Sequence, residues 1–299
     1  MKMKKLSLIA FLIFTCSVFG QTPELDALRQ KAERGDAVAQ YNLGIRYTNS
    51  QGVPKDDAEA VKWYRKAAEQ GLEEAQYNLG VMYDRGQGVA KDAVEAVKWY
   101  RKSAEQGLAD AQFCLAAMYA QGQGVPKDNV EAAKWCRKAA EQGYMKAQAH
   151  LGQMYDFGDG VTKDDVEAVK WYRKAAEQGH AYAQVNLGVM YANGRGVAKD
   201  DVEAVKWYRK AAEQGNAEAQ WSIGHRYAIG LGIQKDETEA VKWLRKSAEQ
   251  GYARAQCSLG VMYLRGVVVT RDVNEAKIWL QKSAAQGNED ATKLLKSLK

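Results

Sequence analysis

Residues 72–107 read LEEAQYNLGVMYDRGQGVAKDAVEAVKWYRKSAEQG, and seven units of this pattern fill most of the 299-residue chain, over 36–71, 72–107, 108–143, 144–179, 180–215, 216–251 and 252–287. Tryptophan marks the period without a slip: Trp63, Trp99, Trp135, Trp171, Trp207, Trp243 and Trp279 stand 36 residues apart. A fixed period of this length is the signature of a solenoid of identical supersecondary units. It overrides the two ordinary domains that length alone suggests. It also points to a binding surface rather than a catalytic pocket, because each repeat touches only its neighbours.

Each unit contains two helical segments. In the first, Ala39, Leu43 and Tyr47 fall at i, i+4 and i+8 on one stripe. Gly44 recurs beside them, replaced only by Ala116. Glycine inside a helix costs about 1 kcal/mol against alanine, so its recurrence predicts the close approach of a neighbouring helix. A loop such as Arg85-Gly86-Gln87-Gly88-Val89 follows, with glycines suited to positive φ and a valine placed to plug the core. Every second helix opens on an Asp with a Glu three positions later, from Asp56 and Glu59 to Asp272 and Glu275. Paired carboxylates could serve acid–base chemistry, but their recurrence at each helix start marks a capping box with Asp in the serine role. Ala60, Trp63, Tyr64, Ala67 and Ala68 form the apolar face of that helix, and Lys62, Arg65, Lys66 and Glu69 the solvated one. Segments 21–35 and 288–299 read as capping helices. Ala27 takes the tryptophan slot in the first, and Lys296 and Lys299 take the glycine and tyrosine slots in the second.

The first twenty residues differ from the rest. Lysines 2, 4 and 5, the apolar run 6–14, and Val18 and Gly20 at −3 and −1 form an export signal with cleavage before Gln21. The run is too short for the roughly 20 apolar residues of a membrane span. Phe14 and Thr15 ahead of Cys16 argue against a lipoprotein. Residues 1–20 carry three lysines and no acid, so their removal lowers the net charge from +6 to +3. This is too little for a nucleic-acid footprint. Cys114, Cys136 and Cys257 remain. Cys114 and Cys136 lie on the two helices of one unit, which leaves a bridge conceivable, but the preferred reading is three small buried hydrophobes.

The pattern resembles Sel1-like repeats. In residues 72–107 it stands as Ala75, Gln76, Leu79, Gly80, Tyr83, Gly86, Gly88, Val89, Asp92, Ala96, Trp99 and Ala104, with Glu73 in the slot of the first alanine. Ser50 and Val268 are the loop departures elsewhere. The resemblance implies an all-α, right-handed α/α superhelical solenoid, related to tetratricopeptide arrays, that mediates protein–protein contacts. Some exported members are cysteine-rich and linked to penicillin binding. Their cysteine positions hold Gln76 and Ala104 here, which removes their disulfide ladder and sets a β-lactam-binding or β-lactamase-like role as the alternative.

Once the recurring positions are set aside, variation concentrates on the first helix. One slot holds Val38, Glu74, Asp110, Lys146, Tyr182, Glu218 and Arg254, and another Asn42, Asn78, Cys114, His150, Asn186, Ser222 and Ser258. A third, with Arg46, Met82, Met118, Met154, Met190, Arg226 and Met262, suits either inter-helix packing or an adaptable binding surface. First helices line the concave side of such solenoids, so a partner is expected there. Trp221, His225 and Arg226 cluster in the sixth unit and, with Tyr182, Asn186, His150, Lys146 and Arg254, form the candidate partner-binding set. No Ser-x-x-Lys, Gly-x-Ser-x-Gly or phosphate loop occurs, and three scattered histidines give no metal or nucleophile constellation. The expectation is a monomeric, exported (periplasmic or secreted) adaptor for a protein or peptide. It has no enzymatic activity, no cofactor, no metal, no nucleic-acid partner and no membrane span in the mature chain.

Overall fold

The computed structural model describes residues 22–298; the reading of residues 1–20 as an export signal and the place of Lys299 in the terminal cap lie outside them. The described residues form helices and turns with no strand. Two compact units meet between Gln142 and Gly143 in sequence. The first contains α1 (Pro23–Glu33), α2 (Ala37–Asn49), α3 (Asp57–Glu69), α4 (Glu73–Arg85), α5 (Ala93–Gln106), α6 (Ala109–Gln121) and α7 (Asn129–Glu141). The second contains α8 (Met145–Phe157), α9 (Asp165–Glu177), α10 (Ala181–Asn193), α11 (Asp201–Glu213), α12 (Ala217–Ile229), α13 (Glu237–Glu249), α14 (Ala253–Arg265), α15 (Val273–Ala284) and α16 (Glu289–Ser297). Helices α2 to α15 are the seven expected pairs, and α1 and α16 are the caps. Within each compact unit a first helix packs on the second helix of its own repeat and on that of the repeat before it.

The start of each second helix is only half of a capping box. Asp56 and its six counterparts accept the backbone N–H of the Glu three residues on, as expected. The reciprocal bond is not made. The backbone N–H of Asp92 donates instead to the Tyr83 carbonyl (3.0 Å), and Asp56 and Asp200 repeat this with Tyr47 and Tyr191. That bond closes the loop onto the first helix and frees the glutamate, which pairs with a lysine one turn on, as in Glu203–Lys206 at 2.8 Å. In two repeats the glutamate takes the tryptophan indole N–H, from Trp171 to Glu167 (3.1 Å) and from Trp279 to Glu275 (2.8 Å).

The recurring helix glycine is explained by one contact. A Cβ on Gly80 would lie 2.7 Å from the Tyr100 ring, and one on Gly44 would lie 2.6 Å from Tyr64. Twenty residues separate the two positions in every repeat. The third repeat, which has Ala116 for the glycine, has buried Cys136 for the tyrosine. In the last two repeats Gly224 and Gly260 face Leu244 and Leu280. The added methyl of Ala116 is thus matched by a smaller partner, as close packing demands. It also places Cys136 as a packing residue. Cys114 and Cys136 are thiols rather than halves of a disulfide, and burial pushes them up to about 11 and about 12.

The tryptophans are less enclosed than their strict period suggests. Five are buried, but Trp63 and Trp243 are half-buried. Each ring is covered on its outer face by the lysine three residues later, from 4.1 Å at Lys138 over Trp135 to 4.6 Å at Lys246 over Trp243. Lys66 and its counterparts therefore lid the core through cation–π contact and are not merely solvated. Neighbouring repeats are tied together by an arginine of one second helix that donates to the tyrosine hydroxyl of the next first helix, as Arg209 does to Tyr227 at 2.7 Å.

A buried glutamine joins three successive helices. Gln184, only 3% exposed, donates through Nε2 to the Ala176 carbonyl at the end of α9 (3.0 Å) and accepts from Gln214 Nε2 at the end of α11 (2.8 Å). The Ala176 carbonyl also accepts the turn N–H of Gly179 (3.0 Å), so both of its lone pairs are used. Gln40, Gln76, Gln112, Gln220 and Gln256 repeat both side-chain bonds.

The glycine contact makes a prediction. Gly80→Ala overpacks Tyr100 and lowers unfolding stability by about 1–3 kcal/mol. In a Tyr100→Cys background the same alanine costs little or stabilises, since alanine is the better helix former by about 1 kcal/mol. Urea unfolding of the four proteins measures the coupling; additive effects would contradict the size exchange.

Candidate functional site

The three variable slots of the first helix have different fates. The slot of Lys146, Tyr182, Glu218 and Arg254 is exposed in those four repeats. The slot of His150, Asn186 and Ser258 is half-buried at its edge. The methionine slot faces inward: Met82, Met118, Met154, Met190 and Met262 are 1–9% exposed, which settles it as packing. Arg226 follows the methionines and is a correction to the expected binding set. It is 7% exposed, its guanidinium lies 5.3 Å from the Tyr208 ring centroid, and its Nη1 meets Asp201 at 2.9 Å. A buried arginine with its charge neutralised inside the fold is not available as an interface anchor.

The second compact unit brings three of the candidates together. Trp221 on α12 is half-buried and stacks on His225, with ring centroids 5.6 Å apart and planes 11° apart. Arg254 of α14 lays its guanidinium 5.3 Å from the Trp221 centroid. Tyr252, the residue preceding α14, tilts against the indole at 6.0 Å, and the indole N–H donates to Ser258 Oγ at 3.3 Å. A wide aromatic surface is thereby fixed in orientation and left partly open. Burial, with the charge of Arg226, holds the His225 imidazole below the usual histidine range, so it stacks as a neutral ring near pH 7.

The other candidates sit apart from this cluster. Lys146 and His150 lie on α8, with burial also lowering the titration of His150. Tyr182 is 41% exposed on α10 and meets His180 edge-on at 6.4 Å, while His180 caps α10 through Nδ1. Asn186 Nδ2 bonds back to the Tyr182 carbonyl at 2.9 Å.

A groove of about 690 Å³ runs beside the cluster along α12, α14 and α16. Ala228, Ile229, Val261 and Leu294 give it apolar walls, and Ile229 is 55% exposed. Val267 lines it as well, next to an irregular loop. There Val268 takes φ 63°, a left-handed conformation that β-branched residues rarely adopt. At the equivalent Gly232 a Cβ would stand 2.1 Å from the Asp201 carbonyl oxygen. Val268 has that Cβ, so the last loop cannot press onto α13 as the preceding loop presses onto α11. Tyr252, Val261, Arg265 and the groove were missed in sequence. Tyr252 and Arg265 stand in slots that vary between repeats, whereas Val261 recurs as Val81 and Val189 and gives no signal.

The model of the Sel1 repeat matches residues 37–72, 73–108, 109–144, 146–180, 181–216, 217–252 and 253–288. The chain belongs to the Sel1 repeat family. It is similar to a protective antigen present in uropathogenic Escherichia coli strains that displays an SLR fold, with 43% identity, a TM-score of 0.89 and 92% of this chain covered. The chain spans 59% of that antigen's length. A Sel1 repeat protein from Oxalobacter formigenes is 38% identical, with a TM-score of 0.73, over 92% of this chain and 79% of that one. No curated protein matches.

Sel1 arrays serve in general as protein-interaction scaffolds, and this chain carries seven Sel1 repeats. The β-lactam alternative gains no support, since Gln76 is a buried hydrogen-bonding residue and Ala104 a buried packing one. Among the described residues no helix is long and apolar enough to cross a membrane.

The inward course of Arg226 is testable. Arg226→Met installs the side chain this Sel1 slot usually carries and changes stability by about 1 kcal/mol or less, or raises it, because a buried ion pair contributes little net. Asp201→Asn leaves the Arg226 charge buried without its counter-ion and costs about 3 kcal/mol. Chemical denaturation reports both; the reverse order would show that Arg226 is not held by this pair.

Proposed function

We propose that the chain is an exported, monomeric interaction scaffold that receives a segment of a partner protein on the first-helix face of α10, α12 and α14. One observation carries this reading. Trp221 is held half-exposed by a stacked histidine, a tilted tyrosine and an overlying arginine, beside an open apolar groove. Tryptophan and arginine dominate binding energy when fixed in this way, because little side-chain entropy is lost on contact. The repeated positions satisfy one another internally, which leaves recognition to the non-repeating ones, Tyr182, Asn186, Trp221, His225 and Arg254. Lys146 and His150 extend the same face along α8. The charged and apolar order of residues 1–20 supports export, and the similar E. coli chain is a protective antigen.

A photo-crosslinking residue at Tyr182 of the full chain, produced in bacterial cells, should give a discrete cross-linked protein. The same residue at Val202, which is 54% exposed against 41% for Tyr182 but stands on a second helix, should give none. The linked chain should be recovered outside the cytoplasm and begin at Gln21. Identical patterns at both positions, no adduct at either, or an intact Met1 terminus in the cytoplasm would contradict the reading.

A further inference from the structure

The groove beside Trp221 has a charge pattern that narrows its occupant. Arg254, Ser258, Val261 and Arg265 follow one another on α14 at steps of four, three and four residues, which places them on one stripe of the helix. All four line the groove. At 1.5 Å per residue the two arginines stand about 16 Å apart along the axis. Neither has a carboxylate partner among the described residues, whereas Arg46, Arg195 and Arg226 are each ion-paired. Two acids line the groove as well, one paired with a neighbouring lysine and one at a helix start, and a third lies to one side. Glu237 pairs with Lys235 at 2.7 Å, Asp290 sits in the first turn of α16 where the helix dipole favours it, and Glu218 lies towards Tyr252. Between the arginines the walls are apolar, with Ile229 exposed across from Val261.

From this pattern, and resting on the docking face proposed above, we infer that the groove takes an extended peptide segment with two carboxylates flanking apolar side chains, one carboxylate on Arg254 and the other on Arg265. At about 3.3 Å per residue a 16 Å separation lies between four and six residues, the even spacings that put both acids on one face of an extended segment. Arginine suits the role because its planar fork binds a carboxylate in two parallel hydrogen bonds. The stacking of Arg254 on Trp221 holds that fork in place before binding. Apolar side chains between the acids would cover Val261 and Ile229, a gain that neither a mononucleotide nor a bare anion could match.

The test uses the full chain and fluorescein-labelled peptides with two glutamates about four or about six residues apart and leucine and phenylalanine between them. Fluorescence anisotropy should show saturable binding that weakens with salt, as exposed charge pairs do. Arg254→Ala and Arg265→Ala should each weaken it roughly tenfold or more, the effect of truncating one member of a charged pair. Both side chains are exposed, so circular dichroism melts of these variants should match the parent. Bound peptide should also slow alkylation of Cys257, which lines the groove, and not that of Cys136. Unchanged affinity in the arginine variants, or equal affinity for a peptide with lysines in place of the glutamates, would overturn the inference. If such charge-blind binding were still lost in Trp221→Ala, the docking face would stand and only its proposed chemistry would fall. No binding by any peptide overturns the inference while the cross-linking result at Tyr182 decides the docking face separately.

Discussion

One buried amide holds successive repeats together within each compact unit. Within each compact unit a first helix carries a glutamine near its start that reaches back to a carbonyl of the helix before it and forward to a glutamine at the end of its own second helix. A polar side chain 3–5% exposed is tolerated only when its hydrogen-bonding capacity is met. Here the partners lie on three consecutive helices, so the glutamine is satisfied only when all three are in place. Apolar contacts alone would let alanine-rich helices slide past one another. The amide fixes their register, and the glycine–tyrosine contact and the arginine–tyrosine bond between repeats then fall into place around it.

This constraint accounts for which positions are free to vary. Ala116 and Cys136 change together because the space between the two helices of a repeat is fixed. Arg226 can replace methionine because Asp201 and the Tyr208 ring receive its charge and its plane. Positions outside these contacts have no such requirement. In α12 and α14 they hold Trp221, His225, Arg254 and Arg265, which form the surface proposed for a partner.

The fold was legible in the sequence because the period is strict: Trp63 and its six copies, the Asp at each second-helix start and the helix glycine announce the paired helices directly. The site was legible only in part. Composition cannot say whether a long side chain lies flat against the core or points outward. The sequence pattern therefore puts Lys66 on the solvated face although it covers Trp63, and Arg226 among the anchors although it is buried. The methionine slot stayed ambiguous for the same reason, since Met82 and Met190 would look alike on a core or on a binding surface. The glutamine was visible as part of the pattern but its role was not, because that depends on carbonyls eight residues back and an amide thirty residues on. The groove was invisible, being built from α12, α14 and α16 and from a loop whose one irregular residue is Val268.

The most direct test is the unfolding free energy of Gln184→Leu. The substitution keeps the bulk of the side chain and removes its bonds to Ala176 and Gln214. Two lost hydrogen bonds predict a decrease of about 2 kcal/mol, with the helical content of the folded state preserved. An unchanged or increased stability would contradict the account, for it would mean that apolar packing alone sets the register of these repeats.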